Sequence, residues 1–128
     1  MTKTEARKII ISLLFEMTFK TESPEEIIEA RDIYVNSFIT KTIDGVILHM
    51  PEIDSVIEEC CVGWKISRIP RVSLCILRLA VYEIMFADGI PIGASINEAV
   101  ELAKEFASDD DPAYVNGVLG TVAKKYGK

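Results

Sequence analysis

Residues 72–87 read VSLCILRLAVYEIMFA, a stretch apolar on nearly every face that a helix of 3.6 residues per turn would present. A helix written this way must be surrounded by other elements. Its few polar members are Ser73, Arg78, Tyr82 and Glu83; Arg78 and Tyr82, four residues apart, share one stripe that needs partners inside the protein. The fourteen residues from Leu74 to Ala87 are too few to span a bilayer and carry an arginine and a glutamate. The stretch is therefore expected to be the central helix of a helical bundle.

Upstream of it the apolar residues recur at helical spacing. Thr2 and Glu5 stand in the relation in which each side chain satisfies the other's free backbone N–H, so a first helix starts almost at once. It continues through Ile9, Ile10, Leu13, Leu14 and Met17, with Arg7 and Lys8 expected at its solvent end. Ser23-Pro24-Glu25-Glu26 combines an N-cap serine, a proline at the first position and a glutamate at N3, opening a second helix. Ile39, Ile43, Val46, Ile47 and Met50 predict a third over about 32–48, with Asn36, Thr40 and Lys41 on its polar side. Pro51 ends it and can begin the next, whose stripe is Ile53, Val56, Ile57, Cys60 and Trp64. Pro70 breaks the chain before the central helix.

Downstream, Asp88-Gly89-Ile90-Pro91 is a turn by composition, and Ser95-Ile96-Asn97-Glu98 reads as another capping box. That helix is expected to bury Ile96, Ala99, Val100, Ala103 and Phe106. The run Asp109-Asp110-Asp111-Pro112 places carboxylates at the positive end of a last helix, with Asp111 as its expected cap. No stretch alternates with period two over a useful length. The expectation is all-α, with six or seven helices, within one domain over residues 1–128.

Three cysteines, Cys60, Cys61 and Cys75, form neither an even disulfide framework nor a C-x-x-C spacing and read as reduced core thiols. With no secretory signal in the N-terminal run, a cytoplasmic protein is expected. The net charge of −6 argues against a generic nucleic-acid binder, because Lys and Arg supply most non-specific affinity for phosphate. The charge is patterned, however: residues 1–20, 64–80 and 112–128 are net basic and the segments between them are acidic. Three basic segments could converge on one face; the plainer reading is ordinary solvated helix surface.

His49 is the sole histidine, so any Ser-His-Asp or Cys-His catalysis would have to use it. Its place before Pro51, at a helix end, suits a structural role. Gly89 and Gly93 do not make a phosphate-cradling loop, and the three aspartates lack the spacing of a calcium loop. No metal and no cofactor are expected. Arg78, Glu83, Asn97, Glu98 and Asn116 read as a polar set embedded in apolar helices, expected to pair with one another or with backbone and hold the helices in register. Gly117, inside the last helix, suggests a close helix approach.

Three blocks then carry a resemblance: Ile76-Leu77-Arg78-Leu79-Ala80 with Tyr82-Glu83; Ile96-Asn97-Glu98-Ala99-Val100-Glu101-Leu102-Ala103-Lys104; and Tyr114-Val115-Asn116-Gly117-Val118-Leu119. In identity, order and spacing they resemble the signature segments of the NusB family of bacterial transcription antitermination factors. Ala6-Arg7 followed by Leu13-Leu14-Phe15 adds a weaker match. The resemblance implies a helical fold of two small bundles without enzymatic activity. It implies binding of boxA-type single-stranded RNA in ribosomal RNA transcripts, as a heterodimer with the small-subunit ribosomal protein NusE, within the RNA polymerase antitermination complex. It places RNA contacts at Lys3, Arg7 and Lys8 and at Tyr114, and partner contacts at Ser73 and Asp110. Cations meeting phosphates and an aromatic face stacking on an unpaired base fit those roles. Thr4 and Glu5 stand where family members often carry further arginines, so weak RNA binding by the protein alone is expected. The other reading is a helical interaction or self-associating module of the same fold with lost or weak RNA binding. Monomer and homodimer are both open on the sequence.

Overall fold

The computed structural model describes residues 1–63 and 65–127. Seven α-helices follow in order: α1 (Lys3–Met17), α2 (Pro24–Arg31), α3 (Ser37–Leu48), α4 (Met50–Cys60), α5 (Arg71–Met85), α6 (Ile92–Phe106) and α7 (Asp111–Tyr126). A 3-10 turn at Ile66–Arg68 leads into α5, and no strand occurs among the described residues. The all-α expectation holds.

The central helix is where the sequence puts it. Every residue from Ser73 to Ile84 except Arg78 is buried, and α5 packs against α1, α3, α4, α6 and α7. Two groups of helices share it: α1 and α3, with α2 against α1, and α4 with the antiparallel pair α6 and α7. The Arg78–Tyr82 stripe finds the partners it needs. Arg78 Nε and Nη2 donate to the two carboxylate oxygens of Asp54 on α4 at 2.8 and 2.9 Å, and the Tyr82 ring lies against Gly45 of α3. Arg78 was expected to pair with Glu83 or Glu98; Asp54, one helix away and itself half-buried, satisfies the planar fork in a bidentate pair instead.

The capping boxes at Thr2–Glu5 and Ser23–Glu26 form as read, Pro24 opening α2. Three boundaries differ. α3 begins at Ser37, because Asn36 turns its carboxamide oxygen back to accept from Ile39 N at 2.9 Å instead of extending the polar face. The chain between α2 and α3 turns through Asp32, at φ 52° the sole non-glycine with positive φ among the described residues. α6 begins at Ile92, directly after Pro91, so Ser95 lies inside it and is no cap. The first residue of α7 is Asp111, with Asp110 at the cap position and no side-chain capping bond there. Phe106, the last residue of α6, is exposed. Trp64 lies outside the described residues. His49 joins α3 to α4 and stacks on Phe86, ring centroids 3.8 Å apart.

The close approach expected at Gly117 occurs at Gly45 instead. A Cβ on Gly117 would meet open space, whereas one on Gly45 would overlap the Tyr82 ring, 2.6 Å from its Oη. Opposite outcomes follow for the same substitution. Gly117→Ala should stabilise by up to about 1 kcal/mol through helix propensity, and Gly45→Ala should destabilise by about 1–3 kcal/mol through overpacking; urea unfolding of the two variants measures both.

All three cysteines are buried and free. Burial raises Cys75 from 9.0 to about 11, with Arg78 pulling weakly the other way. The folded protein therefore keeps this proton after the unfolded chain has lost it. The associated stability is complete below pH 9 and falls as pH rises from 9 through 11. Denaturation midpoints measured across that interval should decline, and Cys75→Ala should flatten the decline.

Candidate nucleic-acid interface

The N-terminal basic residues have three different fates. Arg7 was expected at the solvent end of α1, but only 4% of it is exposed. It points inward because Glu83 of α5 is equally buried and needs a counter-charge. Arg7 Nε and Nη2 donate to Glu83 Oε2 and Oε1 at 2.8 and 3.0 Å, and Ser95 Oγ of α6 donates to Glu83 Oε1 at 2.7 Å. Glu98 adds a second carboxylate 3.8 Å from Arg7 Nη1 and accepts from Thr4 Oγ1 at 2.8 Å. Five side chains from three helices thus form one polar knot. Lys8, half-buried, pairs with Glu105 of α6 at 3.0 Å. Both members of that pair are 39–49% exposed, so it contributes about 0–1 kcal/mol and is easily exchanged. Lys3 is exposed, its Nζ 5.5 Å from the Phe38 ring centroid on α3.

Of the expected polar set, Glu83 is fully engaged and Glu98 is half-buried, but Asn97 and Asn116 are exposed on α6 and α7. They face outward because the α6–α7 seam is filled by Ala99, Leu102, Ala103, Val115, Val118 and Leu119, leaving no room for an amide. The knot includes Ser95, which its S-x-x-E spacing disguised as a cap.

Tyr114 sits elsewhere, on the first turns of α7. Its hydroxyl is buried against the Cys61 thiol, and burial first, then that thiol, push it far above the usual tyrosine range. The ring borders an open cleft of about 370 Å³, lined also by Arg68, Ile69, Pro70, Asp110 and Asp111. Ser73 was expected to touch a partner. It is wholly buried instead, its Oγ donating to Asp111 Oδ2 at 2.9 Å, a bond that ties α5 to the start of α7. Asp110 beside it is exposed. Arg68 is the cleft residue that reading the sequence passed over; its position in the basic segment 64–80, next to the Ile69-Pro70 break, was the available signal.

Among the described residues no three His, Cys, Asp or Glu side chains converge as a metal site requires, and no helix is long and apolar enough to cross a membrane. The features here are the exposed Lys3 and, at the cleft, the Tyr114 ring.

The knot gives a direct expectation. Arg7→Ala leaves Glu83 buried without its counter-charge and should cost about 3–5 kcal/mol, whereas Lys3→Ala should stay within about 0.5 kcal/mol; chemical denaturation separates them.

Comparisons with known proteins bear on the family and the fold. A model of the NusB family matches residues 4–124. The transcription antitermination protein NusB of Agathobacter rectalis is 42% identical, over 96% of this chain and all of that one. Its counterpart in Clostridium novyi is 39% identical, over 97% of this chain and 99% of that one. Among solved structures, T. maritima NusB matches with a TM-score of 0.92 at 29% identity, covering 100% of this chain and 94% of that one. A structure of the antitermination factors NusB and NusE in complex with dsRNA matches with a TM-score of 0.84, also at 29% identity, covering 97% of each chain. Alike in sequence and in fold over nearly its whole length, the chain belongs to the NusB family.

Proposed function

We propose that this chain is a transcription antitermination factor. It binds boxA-type single-stranded RNA of ribosomal RNA transcripts as a heterodimer with the small-subunit ribosomal protein NusE, and it joins RNA polymerase in an antitermination complex. It does so as one helical domain in the cytoplasm, with no catalytic step. The observation that carries this reading is the full-length likeness to antitermination NusB proteins, including one solved with NusE and RNA.

The residues divide the work by their accessibility. Lys3 and Lys8 on the first turns of α1 supply phosphate contacts, Lys8 exchanging Glu105 for RNA. Arg7, held by Glu83, fixes the helix that presents them and is a positioning residue. The Tyr114 ring offers its face to an unpaired base, its hydroxyl anchored at Cys61. Asp110, exposed beside that ring, tunes contacts with NusE and RNA.

Fluorescence anisotropy of a labelled boxA-type RNA tests the reading, with the chain alone and with NusE added. Weak binding alone that tightens with NusE is expected; no binding in either condition by folded protein sinks the proposal. Tyr114→Leu should weaken binding by about 5–150-fold, the value of one lost base stack. Lys3→Gln should weaken all RNAs alike and lower the salt slope by about 0.7, one phosphate contact on a single strand.

A further inference from the structure

Between α2 and α3 lies a groove that no described residue fills. The two isoleucines of α2 have different surroundings: Ile27 is buried in the core, whereas Ile28 is half-buried and borders α3. α2 rests on α1 and does not pack closely on α3, and the chain between the two turns through Asp32 in its left-handed conformation. Ile28, Val35 and Ile43 therefore floor an open groove of about 240 Å³, and the exposed Glu25, Glu29 and Asp44 stand along its rim. Among the described residues none of these three carboxylates has an ion pair or a side-chain hydrogen bond, whereas Glu16, Asp54, Glu59 and Glu83 each hold a cation. Arg31, the cation of α2, is drawn to Glu16 on α1, and Lys41 of α3 does not line the groove.

The chemistry of the occupant follows from what this groove accepts and refuses. Its volume is below that of small-molecule sites, about 300–1,000 Å³, so it takes side chains of a larger molecule. Three negative charges repel phosphates and no aromatic ring lines the floor for a base to stack on, which excludes RNA. An anionic membrane surface is refused by the same charges. Among the ways a protein segment docks, strand addition needs an exposed sheet edge and proline-rich docking needs an aromatic-lined groove; the described residues offer neither. What fits is a helix that lays aliphatic side chains into the groove, with cations beside them to meet the rim.

We propose that the α2–α3 groove docks an amphipathic helical segment of another protein. Aliphatic anchors one turn apart sit on Ile28, Val35 and Ile43, and flanking Lys or Arg side chains pair with Glu25, Glu29 and Asp44. The groove shares no lining residue with the Tyr114 cleft or with the surface between α1 and α6 that carries Lys8. The inference stands independently of the RNA-binding reading.

The test is methyl NMR of the chain titrated with a synthetic amphipathic helical peptide of leucine and lysine, its leucines spaced at i and i+4. The signals of Ile28, Val35 and Ile43 should move, salt should weaken the binding, and the same peptide with glutamate in place of lysine should not bind. The double variant Glu29→Lys with Asp44→Lys should bind several-fold more weakly; both positions are exposed, so its unfolding midpoint should stay near that of the wild type. Ile28→Gln, which keeps every rim charge, should also bind several-fold more weakly. Movement of other methyls instead, such as those of Leu102 beside the α6 carboxylates, overturns the docking site. Wild-type affinity in the charge-reversed variant, or equal binding of the glutamate peptide, does the same. Groove signals that move with protein concentration in the absence of peptide assign the groove to a second copy of the chain, and signals moved by boxA-type RNA and not by the peptide assign it to RNA; either result rejects the proposal.

Discussion

The Arg7–Glu83 pair is the constraint around which the rest is arranged. It joins α1 to α5 inside the core, 76 residues apart in sequence, and Ser95 adds α6 to the same carboxylate. A charge in that position is tolerable only when every donor and acceptor is satisfied, because neither ion can recover its lost hydration. Here Glu83 receives two guanidinium N–H groups and a hydroxyl, and Glu98 lies near the remaining guanidinium nitrogen. An apolar contact would let α1 rotate or slide at small cost. A bidentate ion pair does not, since a rotation of one residue leaves two buried charges unmatched. The rotation of α1 about its axis decides which of its cations reach solvent, so the pair also determines what the helix offers to a phosphate.

That arrangement explains how an acidic protein can still present cations. The acidic side chains are not spread evenly: Glu98, Glu101 and Glu105 line the side of α6 that faces the start of α1. They lower the positive potential there and favour a ligand that brings its own positively charged companion. Around α5's entrance the balance differs, since Arg71 lies over the Phe19 ring with 4.2 Å between its carbon and the centroid. Binding through a heterodimer, instead of by the chain alone, is what such an uneven field leads one to expect.

How far the molecule could be read without its structure depended on the range of the interaction. Local signals were legible: the two N-terminal capping boxes, the prolines at Pro24 and Pro51, and the buried character of α5 all follow from residues within one or two turns. The mistakes were long-range. Nothing in the spacing says that Arg78 meets Asp54 while Glu83 meets Arg7; Arg78 lies in an apolar run and Arg7 beside Glu5 and Lys8, and only packing decides their partners. Ser95 carried a cap's pattern and took a core partner because Pro91 had already started the helix. Asn97 and Asn116 looked like interior amides, although small residues filled the seam between their helices. Ser73 and Tyr114 show the same limit in the site: the first was read as surface and is core, and the second lies in a cleft whose other wall comes from residues 68–70.

The central position of α5 also bears on how the chain comes into being. α1, α3 and α4 bury Ile10, Leu13, Ile39, Ile43, Ile53 and Ile57, and all three helices rest on α5, which is synthesised after them. At about 5–20 residues per second, the interval between completing α4 and completing α5 is on the order of a few seconds. During it the nascent chain carries three amphipathic helices whose shared partner does not yet exist. Their apolar stripes are open to any hydrophobic surface nearby, and α6, which supplies Ser95 to the buried pair, arrives later still. The N-terminal half thus stays without its main packing partner until the middle helix emerges, and only then can the core close.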